Sequence, residues 1–360
     1  MWAHMKVISV VGARPQFVKL APIDRALKAG GHEHVIVHTG QHYDPDMSEN
    51  FFSDLGISAP KINLGVGSDS HAKQTASILT RLEEVFMTQN ADWVLVYGDT
   101  NSTLAATLAA VKIHQRVAHL EAGLRSFNRR MPEEHNRVLT DHASDLLLAP
   151  TNEAMTNLAN EGLGSLAVHV GDVMVDVCLD TQKISQSLIL ESLDVKKGEY
   201  FLATIHRAEN TESRERLLEI LGLLENMDAK VLLAAHPRLR AKLAEFKIDT
   251  NFKNVQLISP LGYPDLVCAL ANAKAAITDS GGLQKEAFLL HTPCVTLRTE
   301  TEWVETVSLG VNMVDNNPSS KGVAEFVART SEITWPTQMP YGDGQAALSV
   351  VRCLEDALLK

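Results

Sequence analysis

Trp93-Val94-Leu95-Val96-Tyr97-Gly98-Asp99-Thr100-Asn101-Ser102-Thr103 decides how this 360-residue chain folds. Five apolar residues run without interruption, and a glycine and small polar residues close them. A short apolar run bounded by turn residues reads as a strand buried on both faces. Residues 102–114 then carry apolar side chains at helical spacing. Strand, polar turn and helix in that order form the repeating unit of a parallel sheet. Outward from this stretch, 7–11 and 35–37 read as earlier strands and 117–120 and 146–149 as later ones. The pattern restarts at 200–204 and continues at 231–235, 255–258, 275–278 and 294–297. The expected class is α/β, with two doubly wound domains and a cleft between them. Length agrees, because single cores tend to stop growing near ~250–300 residues. No Pro/Gly-rich linker marks the boundary. It is placed near 168–172, giving domains 5–169 and 170–345, with a final helix at 346–360 expected to pack back on the first.

Composition narrows the function. Lysine and arginine number 33 against 44 acidic residues, a net charge of −11. That argues against a broad nucleic-acid surface but leaves room for a local basic pocket. The four cysteines (Cys178, Cys268, Cys294, Cys353) are scattered, without metal-knuckle or disulfide spacing. No stretch approaches the ~20 continuous apolar residues of a membrane span. The expectation is a cytoplasmic protein without metal, nucleic acid or membrane partner.

Chemistry-bearing residues follow the strands. The first strand leads into Gly12-Ala13-Arg14-Pro15-Gln16-Phe17-Val18-Lys19. Proline suits the first helical position, and Arg14 and Lys19 near a helix start suit an anion. No GxGxxG follows this strand, so a nicotinamide site has no support. Asp99 follows the 93–97 strand, where an aspartate also reads as a helix cap. Glu121 follows 117–120, and Glu133-Glu134 opens the next helix. Three acidic loops at neighbouring strand ends suit acid–base chemistry; an ion-pair network with Arg125, Arg129, Arg130 and Arg137 is the alternative. In the second half, His206-Arg207 and His236-Pro237-Arg238 follow strands. Ser280-Gly281-Gly282 then opens a helix with Glu286 one turn inside. Glycines at a helix entry let a backbone approach a phosphate closely.

Together these motifs resemble the non-hydrolysing UDP-N-acetylglucosamine 2-epimerases. They are GARPQFVK (12–19), HTGQH (38–42), GDT (98–100), HLEAGLR (119–125), MPEE (131–134), HR (206–207), TDSGGLQKEA (278–287) and PYGDGQA (340–346). The resemblance covers nearly the whole chain. It implies the GT-B arrangement of two Rossmann-like domains and an isomerase that uses no cofactor and no metal. By matching motifs it implies Asp99, Glu121 and Glu133 as catalytic carboxylates and His206 as the catalytic histidine. It places Arg14, Lys19, Ser280, Gly281 and Gly282 at the diphosphate, Glu286 at the ribose and Tyr263 near the uracil. His236 is taken as a further substrate-binding residue. A UDP-sugar and a second copy of the chain are the implied partners, and polysaccharide synthesis the setting.

Two spellings depart from the best-known members. A QHREMLD-like stretch that serves a regulatory site reads QHYDPDM (41–47), and a TERPE-like segment reads TEWVE (301–305). HTGQHYD and MSENFF look closer to members acting on UDP-2,3-diacetamido-glucuronate, and the sugar therefore stays open between that and UDP-N-acetylglucosamine. A GT-B glycosyltransferase, a hydrolysing epimerase and a nucleotide-sugar sensor are the rivals. The clustered carboxylates favour the epimerase.

Overall fold

The structure is a computed structural model that describes residues 4–41, 52, 56–57, 59–184, 188–335 and 340–359. Thirteen strands lie among them: β1 (Lys6–Val11), β2 (Glu33–His38), β3 (Ile62–Asn63), β4 (Trp93–Tyr97), β5 (Val117–Leu120), β6 (Leu146–Ala149), β7 (Ala167–His169), β8 (Tyr200–Thr204), β9 (Lys230–Ala234), β10 (Val255–Ile258), β11 (Ala275–Thr278), β12 (Cys294–Thr296) and β13 (Asn312–Val314). They form two all-parallel sheets, in the orders β3-β2-β1-β4-β5-β6-β7 and β10-β9-β8-β11-β12-β13. Both are doubly wound. Strand order reverses between β1 and β4 in the first sheet and between β8 and β11 in the second. These are the switch points where such sheets bind ligands.

The period of two along each strand explains why the runs are apolar throughout. Trp93, Leu95 and Tyr97 enter one core with Val7 and Val11, while Val94 and Val96 enter another with Ile8 and Val10. The central strands are therefore apolar at most positions. Helices Arg14–Ala29 and Ala346–Leu358 cover the first face, and His71–Gln89 and Asn101–Lys112 the second. In the second sheet, Phe201, Ala203, Val231, Leu233 and Ile277 pack against Leu217, Leu221 and Leu224 of helix Arg214–Glu225. β3, β7 and β13 are two- or three-residue edge strands without a periodic pattern of their own. The boundary expected at 168–172 thus begins inside β7, which pairs with β6.

One compact unit is Met1–Val177 with Pro340–Lys360, and the other is Cys178–Met339. The division falls eight residues beyond position 169 because helix Val173–Ile184 runs unbroken through it. Its first turn buries Val173 in the first unit's core. Asp176, also buried there, accepts hydrogen bonds from the amides of Ala346 (3.1 Å) and Ala347 (2.9 Å). It thus caps the final helix, whose own N-terminal residue, Gln345, makes no side-chain cap. Asp176→Ala should cost about 1 kcal/mol and lower Tm by roughly 2–4 °C; an unchanged melting curve would show that the cap contributes nothing.

Candidate active site

In the first unit, Gly12 and Gly98 end the two strands that flank the switch point. A Cβ on Gly12 would lie 2.1 Å from Ser102 Oγ and 2.5 Å from Thr39 Oγ1, so only glycine fits. Gln16 fixes the following helix: its Oε1 accepts from the amides of Gly12 (2.7 Å) and Ala13 (3.1 Å), and its Nε2 donates to the Tyr97 carbonyl (2.7 Å). That helix starts at Arg14, whose side chain lies outside the described residues, and carries Lys19 one turn on.

The Lys19 ammonium is ion-paired to Glu121 Oε2, both side chains largely buried. Burial disfavours the Lys19 charge, but Glu121, Asp172 and Asp99 outweigh it and raise the ammonium above its ordinary pKa. Glu121 itself has φ +70°, a region that costs a non-glycine residue of the order of 1–2 kcal/mol. Gly98 (φ +63°) makes room for it, since a Cβ there would sit 3.1 Å from Glu121 Oε2 and 4.0 Å from Lys19 Nζ.

Asp99 is ion-paired to Arg137, which also binds Glu134 at 2.8 Å. Its backbone carbonyl accepts from Asn136 Nδ2 (2.9 Å). The Glu133-Glu134 pair divides in role. Glu134 is buried and accepts from the Ser126 amide and hydroxyl (2.9 and 2.8 Å) and the Phe127 amide (2.9 Å). Burial opposes its charge, yet these donors and Arg137 hold its pKa below the ordinary value. Glu133, one position earlier on helix Pro132–Ala143, has no side-chain partner among the described residues.

Beneath Glu121 lies a buried charge network of which the sequence reading named only Arg125 as an ion-pair partner. His119 Nδ1 meets Asp141 Oδ1 at 2.6 Å, and its Nε2 donates to the Gly98 carbonyl at 2.7 Å. Asp141 also accepts from the Gly123 amide (3.1 Å) and Arg125 (2.7 Å), and Arg125 grips Glu161 through two 2.7 Å bonds. Burial opposes the Asp141 charge, but His119 and Arg125 lower its pKa. The network holds Gly98, His119 and Gly123 around the strained Glu121. Arg125, and Arg137 with Asp99 and Glu134, thus serve the alternative reading of structural ion pairs, while Glu121 pairs with Lys19 instead.

In the second unit, β8 and β11 end side by side. Asp279, fully buried, accepts from the amides of His206 (3.1 Å) and Arg207 (3.0 Å) and from Asn210 Nδ2 (3.1 Å). His206 Nδ1 sits 3.2 Å from its Oδ1. Burial opposes the Asp279 charge, but His206, Asn210 and the Arg207 amide lower its pKa. With Nδ1 facing a carboxylate, the imidazole is oriented and Nε2 is left for a ligand. Asp279 follows β11 and belongs to the TDSGGLQKEA stretch, but neither signal assigned it a role. His236 caps helix Pro237–Glu245, its Nδ1 accepting from the Arg238 amide at 3.2 Å. The two histidine rings are 6.0 Å apart.

Ser280 caps helix Gly281–Leu289, accepting from the Leu283 amide at 3.4 Å. The amides of Gly281 and Gly282 form the helix's first turn, which has no intrahelical acceptors. A cavity of about 340 Å³ opens here, walled by His206, His236, Ser280, Gly282, Leu283 and Glu286 among others. Burial pushes the Glu286 carboxyl up to about 7, although the Tyr263 hydroxyl and Lys285 favour its charge. Tyr263 does not line the cavity. Its hydroxyl is buried near Glu286 and Cys178 and makes no hydrogen bond of good geometry. Trp303, from the segment that departs from TERPE, donates from Nε1 to the Gly281 carbonyl (2.7 Å) and lies under Lys285, whose Nζ is 5.0 Å from the ring centre. No cluster of His, Cys, Asp or Glu suited to a metal ion occurs among the described residues.

The arrangement can therefore present carboxylates and a lysine at one switch point, and a histidine, helix amides and a buried acid at the other. The sequence profile of the UDP-N-acetylglucosamine 2-epimerase family matches residues 25–355. A UDP-N-acetylglucosamine 2-epimerase homologue of Methanococcus maripaludis is 44% identical over 358 residues, 98% of this chain and all of the relative. The UDP-2,3-diacetamido-2,3-dideoxy-D-glucuronate 2-epimerase of Pseudomonas aeruginosa is 43% identical over 97% of this chain and 99% of its own. The fold also matches the crystal structure of Methanocaldococcus jannaschii UDP-GlcNAc 2-epimerase in complex with UDP-GlcNAc and UDP. There the TM-score is 0.80 at 40% identity, covering 97% of this chain and 99% of that one. With two Rossmann-like sheets of the GT-B kind and relatives matched from end to end, the chain belongs to the UDP-N-acetylglucosamine 2-epimerase family, a family of isomerases.

Proposed function

We propose that this protein inverts C2 of a UDP-2-acetamido sugar, with UDP-N-acetylglucosamine going to UDP-N-acetylmannosamine. The observation that carries the proposal is the second unit's cavity, where His206, Ser280, Gly282 and Glu286 converge on a nucleoside-diphosphate-sized space. The C2 proton of such a sugar is not next to a carbonyl, so enolisation is closed to it. Elimination of UDP from C1 makes its removal feasible and leaves a 2-acetamidoglucal. Re-addition of UDP with the opposite C2 configuration completes the cycle. His206 and the first amides of helix Gly281–Leu289 stabilise the charge that builds on the departing diphosphate. Arg14 and Lys19 join them by the resemblance. Asp99, Glu121 and Glu133 are the groups that remove and return the proton. The alternative is the same chemistry on UDP-2,3-diacetamido-2,3-dideoxy-D-glucuronate, the substrate named for the 43% identical Pseudomonas enzyme. The enzyme works as a homodimer in the cytoplasm and feeds polysaccharide synthesis. Among the described residues no helix is long and apolar enough to cross a membrane.

Incubation with UDP-N-acetylglucosamine in deuterated water should yield the manno epimer with deuterium at C2. Release of free UDP without deuterium would overturn the reading in favour of a transferase or hydrolase. Binding should also respond to pH through Glu286. Ribose hydroxyls donate hydrogen bonds, so they favour the carboxylate over the neutral acid. Because the carboxyl titrates near about 7, UDP-sugar binding should expel a proton. The affinity should rise through neutrality, level off above it, and fall about tenfold per unit below. Calorimetry in buffers of different ionisation enthalpy reads the released proton. Its absence, or a pH dependence that survives Glu286→Gln, would remove Glu286 from the ribose.

A further inference from the structure

The TEWVE segment (301–305), which departs from the TERPE spelling, lies against the first turn of helix Gly281–Leu289. Its fastening is specific. Thr301 Oγ1 donates to Gln284 Oε1 at 2.6 Å and accepts from the Trp303 amide at 3.1 Å. Gln284 is fully buried, and its Oε1 also accepts from Asn312 Nδ2 at 3.2 Å. On the other side, the Trp303 carbonyl accepts from the Thr306 amide (3.1 Å) and hydroxyl (2.7 Å). The indole is therefore held in one place. It touches Gly281 and Lys285, the residues immediately before Gly282 and Glu286 of the cavity wall.

The first contact acts through a peptide bond. Trp303 Nε1 donates to the Gly281 carbonyl at 2.7 Å. That carbonyl shares its peptide group with the Gly282 amide, and drawing charge onto the oxygen makes the N–H a stronger donor. The space over Gly282 is open. Beyond its chain neighbours, a Cβ there would meet only Ser280 Oγ, at 3.9 Å, among the described residues. The second contact acts through charge. Lys285 is buried with its Nζ 5.0 Å from the Trp303 ring centre, a cation–π distance. Lys285 in turn favours the charge of Glu286. The Glu302 carboxylate lies beside Gly281, where it would repel an anion, but it is drawn off by Arg298 at 2.7 Å and Arg207 at 3.8 Å. An arginine at 303, as in TERPE, would set a second cation beside Lys285. The neutral indole supplies a donor and an electron-rich face without one.

We infer that Trp303 is a positioning residue for a nucleoside diphosphate: it strengthens the Gly282 amide toward the phosphates and steadies Lys285 beside the ribose carboxylate Glu286. The inference rests on the proposed function for placing the diphosphate at helix Gly281–Leu289. Its test compares the calorimetric binding of UDP with that of uridine, which lacks the phosphates. Trp303→Phe keeps a ring under Lys285 and removes only the N–H. It should weaken UDP by about three- to tenfold and leave uridine as in wild type. Trp303→Leu removes the ring as well and should weaken both ligands, because both carry the ribose. In ligand-free protein labelled on glycine nitrogen, the Gly282 amide proton should move upfield in Trp303→Phe. Equal losses of UDP and uridine in Trp303→Phe would reduce the tryptophan to a support of the fold and overturn the inference. So would undiminished UDP binding or an unmoved Gly282 resonance, and uridine binding unchanged in Trp303→Leu would strike the Lys285 contact from it. Wild-type protein that binds UDP no better than uridine would instead count against the proposed placement of the diphosphate, and the inference would fall with it.

Discussion

Glu121→Gln should lower the rate of C2 epimerisation by on the order of 10³-fold and leave the dissociation constant for UDP within a few-fold of wild type. Glutamine keeps the shape but cannot take a proton. It also leaves the Lys19 ammonium, now held by Glu121, without its closest counter-charge. The backbone argument points the same way. A glutamate at φ +70° stores strain that an ordinary loop would shed, and such strain persists only where the surroundings enforce it. Here the enforcement is visible: Gly98 clears the space above, and the amides of Glu121 and Ala122 both donate to the Leu148 carbonyl, at 3.1 and 3.2 Å. Exchange of the C2 proton with solvent, measured by NMR beside calorimetric UDP binding, separates the two effects. An exchange rate within tenfold of wild type would take Glu121 out of the proton transfer and leave Asp99 and Glu133 as the acid–base pair.

Asp141→Asn should cost about 3–5 kcal/mol of stability. Asp141 is fully buried and is bonded to His119, Arg125 and the Gly123 amide. Its removal leaves a buried guanidinium and an imidazole facing a neutral amide. Glu161 still binds Arg125, which sets the expectation below that for an isolated buried charge. Activity should fall with stability, because His119 also tethers the Gly98 carbonyl beside Glu121. Below the new melting temperature, kcat should drop while KM for the UDP-sugar stays near wild type, since none of the network lines the second unit's cavity. Urea denaturation gives the first quantity and steady-state kinetics the second. A stability loss under 1 kcal/mol would mean that the ion pairs contribute little. An unchanged kcat would mean that the network holds the fold but does not position Glu121.

The sequence was most legible where local pattern and global role coincide. β4 is buried on both faces and apolar throughout, and β1 is apolar but for Lys6 and for Ser9, whose buried hydroxyl meets Tyr97 OH at 2.8 Å, so both strands announced themselves. β8 and β11 read the same way up to their last residues, Thr204 and Thr278, whose hydroxyls pair at 2.6 Å. Edge strands β3, β7 and β13 were invisible because two or three residues pair on one side only and leave no period to detect. Among the candidate site residues, those directly after strands could be singled out, because a parallel sheet presents its ligand-facing residues at the strand ends. His236 shows the limit of that rule, since a histidine after a strand also caps a helix and its sequence looks the same in either role.

From the sequence alone followed the α/β class, the two sheets, the family and the carboxylates and glycines that carry the proposed chemistry. All of these depend on residues close together in the chain, where periodicity and motif spacing express the physics directly. The tertiary structure decided which of Glu133 and Glu134 is tied up in holding a turn. It showed that Asp279 orients His206, that Tyr263 stands behind Glu286, and that Asp141 anchors the strand end beneath Glu121. It also set Trp303 against the Gly281 carbonyl and Lys285. Charge pairing and desolvation act across space between segments tens to more than a hundred residues apart, and a linear sequence carries no distance between them until the sheets have set their register.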